Sequence, residues 1–283
     1  MKRFDPTRFG GSTNLLNNPG DIVGAVTRLS RTFGVIELEM EDEARSVFEA
    51  DAARYGEAVR GLLEIKKSSH LYFSVHAPYV GPECDLSSDD SDTSRRSQDL
   101  VRKAIGFTRD LDASRLTYHP GYLNRLPLRS LMENLKRSLD ELIPEANALG
   151  VTLCIENMGA ERPHYIVFSP AEHRELCQAT GTRLTFDLVH HASLVPLGDR
   201  YRDDLSLLLP NIENIHLADA AAPKHVHLPL GEGTMPVSEI LGFLAAESYQ
   251  GNVIVEEMGG GFSSEAFIEH AARYRDQVLA VAA

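Results

Sequence analysis

Cysteine is scarce in this 283-residue sequence: Cys84, Cys154 and Cys177 lie far apart, and none sits in a CxxC pair. That spacing rules out a thiolate zinc cage and fits buried or idle thiols in a reducing compartment. No apolar run approaches the ~18 residues needed to cross a bilayer. The opening MKRFDPTRFGG holds no apolar segment of the kind a secretory signal uses. A cytoplasmic protein with no membrane partner is expected. Positive charge is also short, with 28 Lys and Arg against 41 Asp and Glu and a net charge of −13. Such a chain has no global attraction to nucleic acid or to an anionic membrane. The basic pairs Arg95-Arg96 and Lys136-Arg137 fall on helical stretches and read as solvated faces.

Hydrophobic residues make up 43% of the chain and charged residues 24%, enough for a large core and against wholesale disorder. Short β-rich runs alternate with longer helical patterns. The runs are Phe33–Met40, Leu71–His76, Arg115–His119, Val151–Glu156, Thr182–Asp187, Ile212–Leu217 and Asn252–Glu256, with a weaker first strand around Phe9–Thr13. Between them, segments such as Leu131–Leu149, Val237–Glu247 and Ala266–Val281 carry apolar residues at i, i+3, i+4 spacing. Strands that alternate with helices pair in parallel through right-handed crossovers. Eight such units in a chain near the ~250 residues typical of the architecture predict an α/β fold, a single (β/α)8 TIM barrel. No linker or composition shift divides the chain, so one domain over residues 1–283 is expected. The polar insert Glu83–Arg96 reads as a βα loop after the third strand.

The strand ends carry chemistry. His76, His119, Glu156, Asp187, His216 and Glu256 close the third to eighth strands in turn. In a barrel these ends converge on the rim where βα loops build active sites. All six are metal-ligand types, and imidazole with carboxylate suits zinc, manganese, iron or cobalt. Each would otherwise be a polar group pushed toward the barrel mouth without a partner, at ~1–3 kcal/mol apiece. His190 follows Asp187 by three residues, and His225 and His227 flank a single residue, which on an extended segment turns both the same way. His191 must point elsewhere. His70, His164, His173 and His270 show no such registration and read as surface residues.

The motifs HAPY (His76–Tyr79), HPG (His119–Gly121), IEN (Ile155–Asn157), FDLVH (Phe186–His190), HLAD (His216–Asp219), HxHLPLGEG (His225–Gly233) and VIVEE (Val253–Glu257) resemble the xylose-isomerase-like barrel superfamily. That superfamily includes the endonuclease IV group, sugar isomerases and epimerases, and small-molecule phosphodiesterases such as those that remodel cobamides. The endonuclease pattern implies one metal on His76, His119 and Glu156. It implies a second on Glu156, Asp187, His216 and Glu256, and a third on His190, His225 and His227. Divalent ions are the implied cofactors, zinc first, with manganese, iron or cobalt as alternatives. Glu156 and Glu256 are the expected catalytic pair, and Tyr79 and Asn157 the expected substrate contacts. Two departures matter. His225 stands where the endonucleases have aspartate, which makes the third group all-histidine and less negative. The second strand reads GVIELEMEDE where those enzymes have a basic recognition loop, and an acidic rim would repel a phosphate backbone.

Nucleic acid is therefore not the expected substrate; a small molecule is. The first reading is a multinuclear hydrolase of a phosphodiester or related ester, with a nucleotide-bearing cofactor such as a cobamide as one substrate class. The second is a sugar or cyclitol isomerase or epimerase. It needs one ion, with Glu156 and Glu256 moving a proton on opposite faces of the substrate. A non-catalytic sugar- or metal-binding barrel is disfavoured by the set of acid/base groups beside open metal positions. Homo-oligomerisation is left open.

Overall fold

The structure, a computed structural model, describes residues 5–16, 21–41, 45–47, 51–159, 165–195, 200–221, 224–256 and 262–282. Eight strands pair in parallel in sequence order and close into a barrel: β1 (Phe9–Ser12), β2 (Val35–Glu39), β3 (Tyr72–His76), β4 (Arg115–Tyr118), β5 (Thr152–Glu156), β6 (Arg183–Asp187), β7 (Ile212–Leu217) and β8 (Asn252–Val255). Around it run α1 (Ile22–Leu29), α2 (Ala52–Ser69), α3 (Ser91–Asp110), α4 (Leu128–Ala148), α5 (Pro170–Thr180), α6 (Leu188–Leu194), α7 (Arg200–Leu208), α8 (Val237–Ala246) and α9 (Ser264–Ala282). This is the expected (β/α)8 barrel.

β1 was the faintest strand because Gly10 and Gly11 contribute no strand propensity. Its neighbours require them. A Cβ on Gly10 would lie 2.5 Å from the Val35 carbonyl oxygen, and one on Gly11 2.7 Å from the Phe33 ring. The pair lets β1 sit close enough to β2 and β8 to close the barrel. The polar insert divides differently from the expectation. Asp90 caps α3 by accepting from the Thr93 amide at 2.8 Å, so Ser91–Arg96 are helical and only the part before them is loop.

Side chains alternate along each strand, and this alternation builds the site. Ile36, Leu38, Val75, Leu116, Ile155, Phe186, Ile215 and Val253 belong to the buried apolar core. The positions between them are polar: Ser12, Glu37, Ser74, Thr117, Thr185, Asn214 and Asn252 are all buried. A barrel interior is usually filled by branched apolar side chains. Here one layer is hydrogen-bonded instead. Ser74 Oγ donates to Glu37 Oε2 at 2.7 Å, Thr117 and Thr185 share a hydroxyl bond of 2.8 Å, and Asn252 Nδ2 donates to Asn214 Oδ1 at 3.0 Å. Two residues beyond Glu37, Ser74, Thr117, Thr185 and Asn214 come Glu39, His76, His119, Asp187 and His216, and Glu156 ends β5 beside them. The polar layer is the floor of the site.

The four histidines assigned to the surface divide. His70 is exposed at the end of α2, and His164 lies outside the described residues. His270 is half-buried, with Nδ1 2.9 Å from the Leu230 carbonyl oxygen. His173 is buried on α5, edge-on to Phe168 at 5.2 Å, and neither ring nitrogen has a hydrogen-bond partner among the described residues. Burial drives its pKa from the ordinary 6.5 to about 4, with Glu172 opposing weakly. The ring is neutral in the fold but charges in the unfolded chain below pH 6.5. Stability is therefore intact above pH 6.5 and falls as pH drops toward 4, by about 3 kcal/mol in total. His173→Leu should remove this component, so its urea midpoint should drop less than that of wild type across the window. Parallel curves for the two proteins would refute a neutral buried His173.

Candidate metal centre

All nine expected ligands meet at the C-terminal mouth of the barrel, in three groups. These are His76, His119 and Glu156; Glu156, Asp187, His216 and Glu256; and His190, His225 and His227. Within each group the potential ligand atoms lie within 4.8 Å of one another. Glu156 links the first two. Its Oε2 is 3.0 Å from His76 Nε2 and 3.1 Å from His119 Nε2, and its Oε1 is 3.3 Å from His216 Nδ1. Glu256 Oε2 is 2.8 Å from the same His216 nitrogen.

Local structure explains the placements. Asp187 ends β6 and caps α6, and its side chain accepts from the His190 amide, which fixes the three-residue offset read in FDLVH. Asn157 steadies this turn from β5. Its Nδ2 donates to the Asp187 carbonyl at 2.9 Å and its Oδ1 accepts from the Asp187 amide at 2.7 Å. The side chain expected to touch substrate thus uses both ends of its amide on the backbone that carries Asp187 and His190. Tyr79 lies beside the first group, its ring 4.9 Å from that of His76 and 4.8 Å from that of His119. His191 points away, with Nε2 3.3 Å from Asp204 on α7.

Backbone carbonyls orient three of the rings. Nδ1 of His76 is 2.8 Å from the Ala77 oxygen, Nδ1 of His190 is 2.8 Å from the Asn157 oxygen, and Nδ1 of His227 is 3.2 Å from the Glu256 oxygen. A ring that donates from Nδ1 keeps the Nε2 lone pair for a ligand. His216 is turned the other way, with Nε2 2.6 Å from Glu37 Oε1 and Nδ1 facing Glu156 and Glu256.

Five carboxylates, Glu37, Glu39, Glu156, Asp187 and Glu256, are buried in this space, while no lysine or arginine is buried among the described residues. Burial would raise the pKa of Glu256, yet His216 holds it down at about 2. Burial is likewise outweighed at Glu156, which His216, His119 and His190 hold well below the carboxylate range. Burial would lower His216, but Glu256, Glu37 and Glu156 raise it well above its ordinary value. His76 is raised to about 10 against its own burial, chiefly by Glu39 and Glu156. Buried carboxylates at this density need positive charge nearby, which protonated imidazoles or metal cations supply. Asp187 Oδ2 and His227 Nε2 are buried without a hydrogen-bond partner among the described residues. The donor set of imidazole and carboxylate therefore fits divalent metal ions.

The acidic second strand does not form a rim. Glu37 and Glu39 are buried inside the barrel, and Glu41 accepts hydrogen bonds from the Tyr79 and Val80 amides. Asp42 and Glu43 lie outside the described residues. This charge is turned inward rather than toward an approaching phosphate backbone, and only the net charge of −13 speaks against nucleic acid. Glu37 and Glu39 are site residues that the ligand motifs did not flag. The alternation in VIELE was the available signal: with Ile36 and Leu38 facing the helices, both glutamates must face in. Glu39 accepts from Ser12 Oγ at 2.9 Å, and burial pushes its pKa up to about 8 against the pull of His76.

Known proteins resemble this chain over most of its length. Fructoselysine 3-epimerase of Shigella flexneri is 23% identical over 222 residues, 69% of this chain and 72% of that protein. The crystal structure of a D-tagatose 3-epimerase-like protein superposes with a TM-score of 0.78 at 20% identity, covering 97% of this chain and 98% of the other. An AP endonuclease, family 2, from Brucella melitensis superposes with a TM-score of 0.73 at 15% identity, covering 94% and 96%. The model of the xylose isomerase-like TIM barrel family matches residues 30–277, and the chain belongs to that family.

Proposed function

We propose that this protein is a metal-dependent epimerase or isomerase of a sugar or cyclitol, acting through the group Glu156, Asp187, His216 and Glu256. The observation that carries the reading is the buried Glu156–His216–Glu256 arrangement, in which two carboxylates held ionised approach one imidazole nitrogen at 3.3 and 2.8 Å. The similarity to fructoselysine 3-epimerase and to a tagatose 3-epimerase-like protein supports it over ester hydrolysis, the first expectation from the sequence. A divalent ion held by these four residues would supply polarisation of a substrate carbonyl and its neighbouring hydroxyl. One glutamate removes the proton from the carbon beside that carbonyl, and the C–H electron pair passes into the carbonyl. The other glutamate, after taking up a proton from water, delivers it to the opposite face, which inverts the centre, and the proton held by the first glutamate returns to solvent. Tyr79 lies beside the rings of His76 and His119 and would pack against the substrate.

A second reading, a multinuclear hydrolase of a small phosphodiester, is favoured by the two further ligand groups, His76/His119 with Glu156 and His190/His225/His227. Metal content and product separate the two. The epimerase reading expects one tightly held ion per chain, and deuterium from D2O at a single carbon of a ketose or keto-glycoside, read by NMR. Two or three ions per chain, release of nitrophenol from bis(p-nitrophenyl) phosphate and no deuterium uptake would overturn it in favour of the hydrolase.

A further inference from the structure

His216 is the one ring of the four-residue group, and a carboxylate rather than a backbone carbonyl sets its orientation. Glu37 lies directly beneath it and is fully buried. Both Glu37 oxygens accept hydrogen bonds. Oε1 faces His216 Nε2 at 2.6 Å, while Oε2 receives Ser74 Oγ at 2.7 Å and Asn214 Nδ2 at 3.4 Å. The direction of the Asn214 bond is fixed from further down the barrel. Arg8, which can only donate, reaches Asn252 Oδ1 at 3.4 Å, and Asn252 Nδ2 donates to Asn214 Oδ1 at 3.0 Å. Asn214 must therefore present its NH2 to the Ser74 hydroxyl at 3.1 Å, the Thr117 hydroxyl at 3.3 Å and Glu37 Oε2 at 3.4 Å.

We propose that Glu37 is a positioning residue for the metal centre. As the acceptor-only end of a hydrogen-bond chain Arg8–Asn252–Asn214–Glu37, it holds the His216 ring hydrogen on Nε2 and so reserves Nδ1 for the ion. The inference rests on the metal reading of the four-residue group. It explains why a buried carboxylate occupies a barrel layer where an apolar side chain would otherwise pack. It also explains why a neutral isostere cannot replace it. A glutamine here is driven to turn its oxygen toward the donors aimed at the Oε2 position, the Ser74 hydroxyl at 2.7 Å and the Asn214 NH2 at 3.4 Å. Its own NH2 then faces His216 Nε2, which has to accept, and the ring hydrogen moves to Nδ1, where it blocks the ligand lone pair.

The test is Co2+ affinity, measured by chelator competition on wild type and Glu37→Gln, with the melting temperature of both metal-free proteins alongside. Second-layer partners of metal ligands typically contribute 10–100-fold in affinity. Glu37→Gln should lose about that factor for one ion while its metal-free melting temperature stays at or above that of wild type. A folded variant that binds every ion within twofold of wild type would overturn the assignment and leave the metal reading standing. A wild type that binds no Co2+ would overturn the metal reading and the role of Glu37 with it. A second measurement needs no variant: 15N histidine spectra of zinc-loaded wild type should show one ring ligated through Nδ1 and protonated at Nε2. Spectra in which every zinc-bound ring is ligated through Nε2 would refute the proposal.

Discussion

Glu156→Gln is expected to lower kcat by about 10³-fold or more and to reduce metal content. Removal of one preorganised electrostatic contact commonly lowers kcat ~10²–10³-fold, and Glu156 has several roles at once. Its two oxygens serve two ligand groups, with Oε2 against His76 and His119 and Oε1 against His216. It is also one of the two proton-transfer carboxylates in the epimerase reading. A glutamine keeps the shape but cannot accept a proton, and its NH2 confronts imidazole nitrogens that face an anion in the native site. Elemental analysis and steady-state kinetics on the purified variant check this. Full metal occupancy with kcat within tenfold of wild type would remove Glu156 from the centre of the mechanism.

The double change His225→Ala/His227→Ala separates the two functional readings. The three rings of its group lie close together, His190 stacked on His225 at 4.9 Å and His227 edge-on to His225 at 5.4 Å between centroids. In the epimerase reading the essential ion stays on Glu156, Asp187, His216 and Glu256. Metal content should then be unchanged, with the defect mainly in KM, as when contacts made equally in ground and transition states are lost. In the hydrolase reading the change should remove about one ion per chain and cut kcat by ~10²–10³-fold. Loss of an ion together with a kcat defect of that size would decide for the hydrolase.

Much of the fold was legible because a parallel barrel repeats a simple local rule. Each β-rich run is bounded by helical periodicity, and FSVH, LTYH, LCIE and LTFD each alternate an apolar residue with a polar or ligand-type one. The ends of these runs were recognisable because a His or carboxylate closing a buried strand has few explanations other than a site. The resemblance of HAPY, HPG and HxHLPLGEG to known motifs grouped them further. Asn157 has a role the sequence did not suggest, since a polar residue beside a ligand-type one reads as a substrate contact, while its amide also braces the Asp187 backbone.

Local pattern thus determined the eight-unit architecture, the strands to within two residues and nine ligand-type side chains that converge at one end of the barrel. Closure of the barrel decided the rest, because it brings together residues that no local window relates. Gly10 and Gly11 look like a weak strand until Val35 and Phe33 press against them. Glu37 and Glu39 look like an acidic surface run until barrel closure makes their face of the alternating strand an interior one, under His216 and beside His76. His173 looks like an exposed helical residue until Phe168 covers it. In each case the side chain's environment is set by partners far away along the chain or on another element, and burial then reverses its chemistry: a solvated carboxylate becomes an orienting acceptor, and a titratable ring becomes a neutral one.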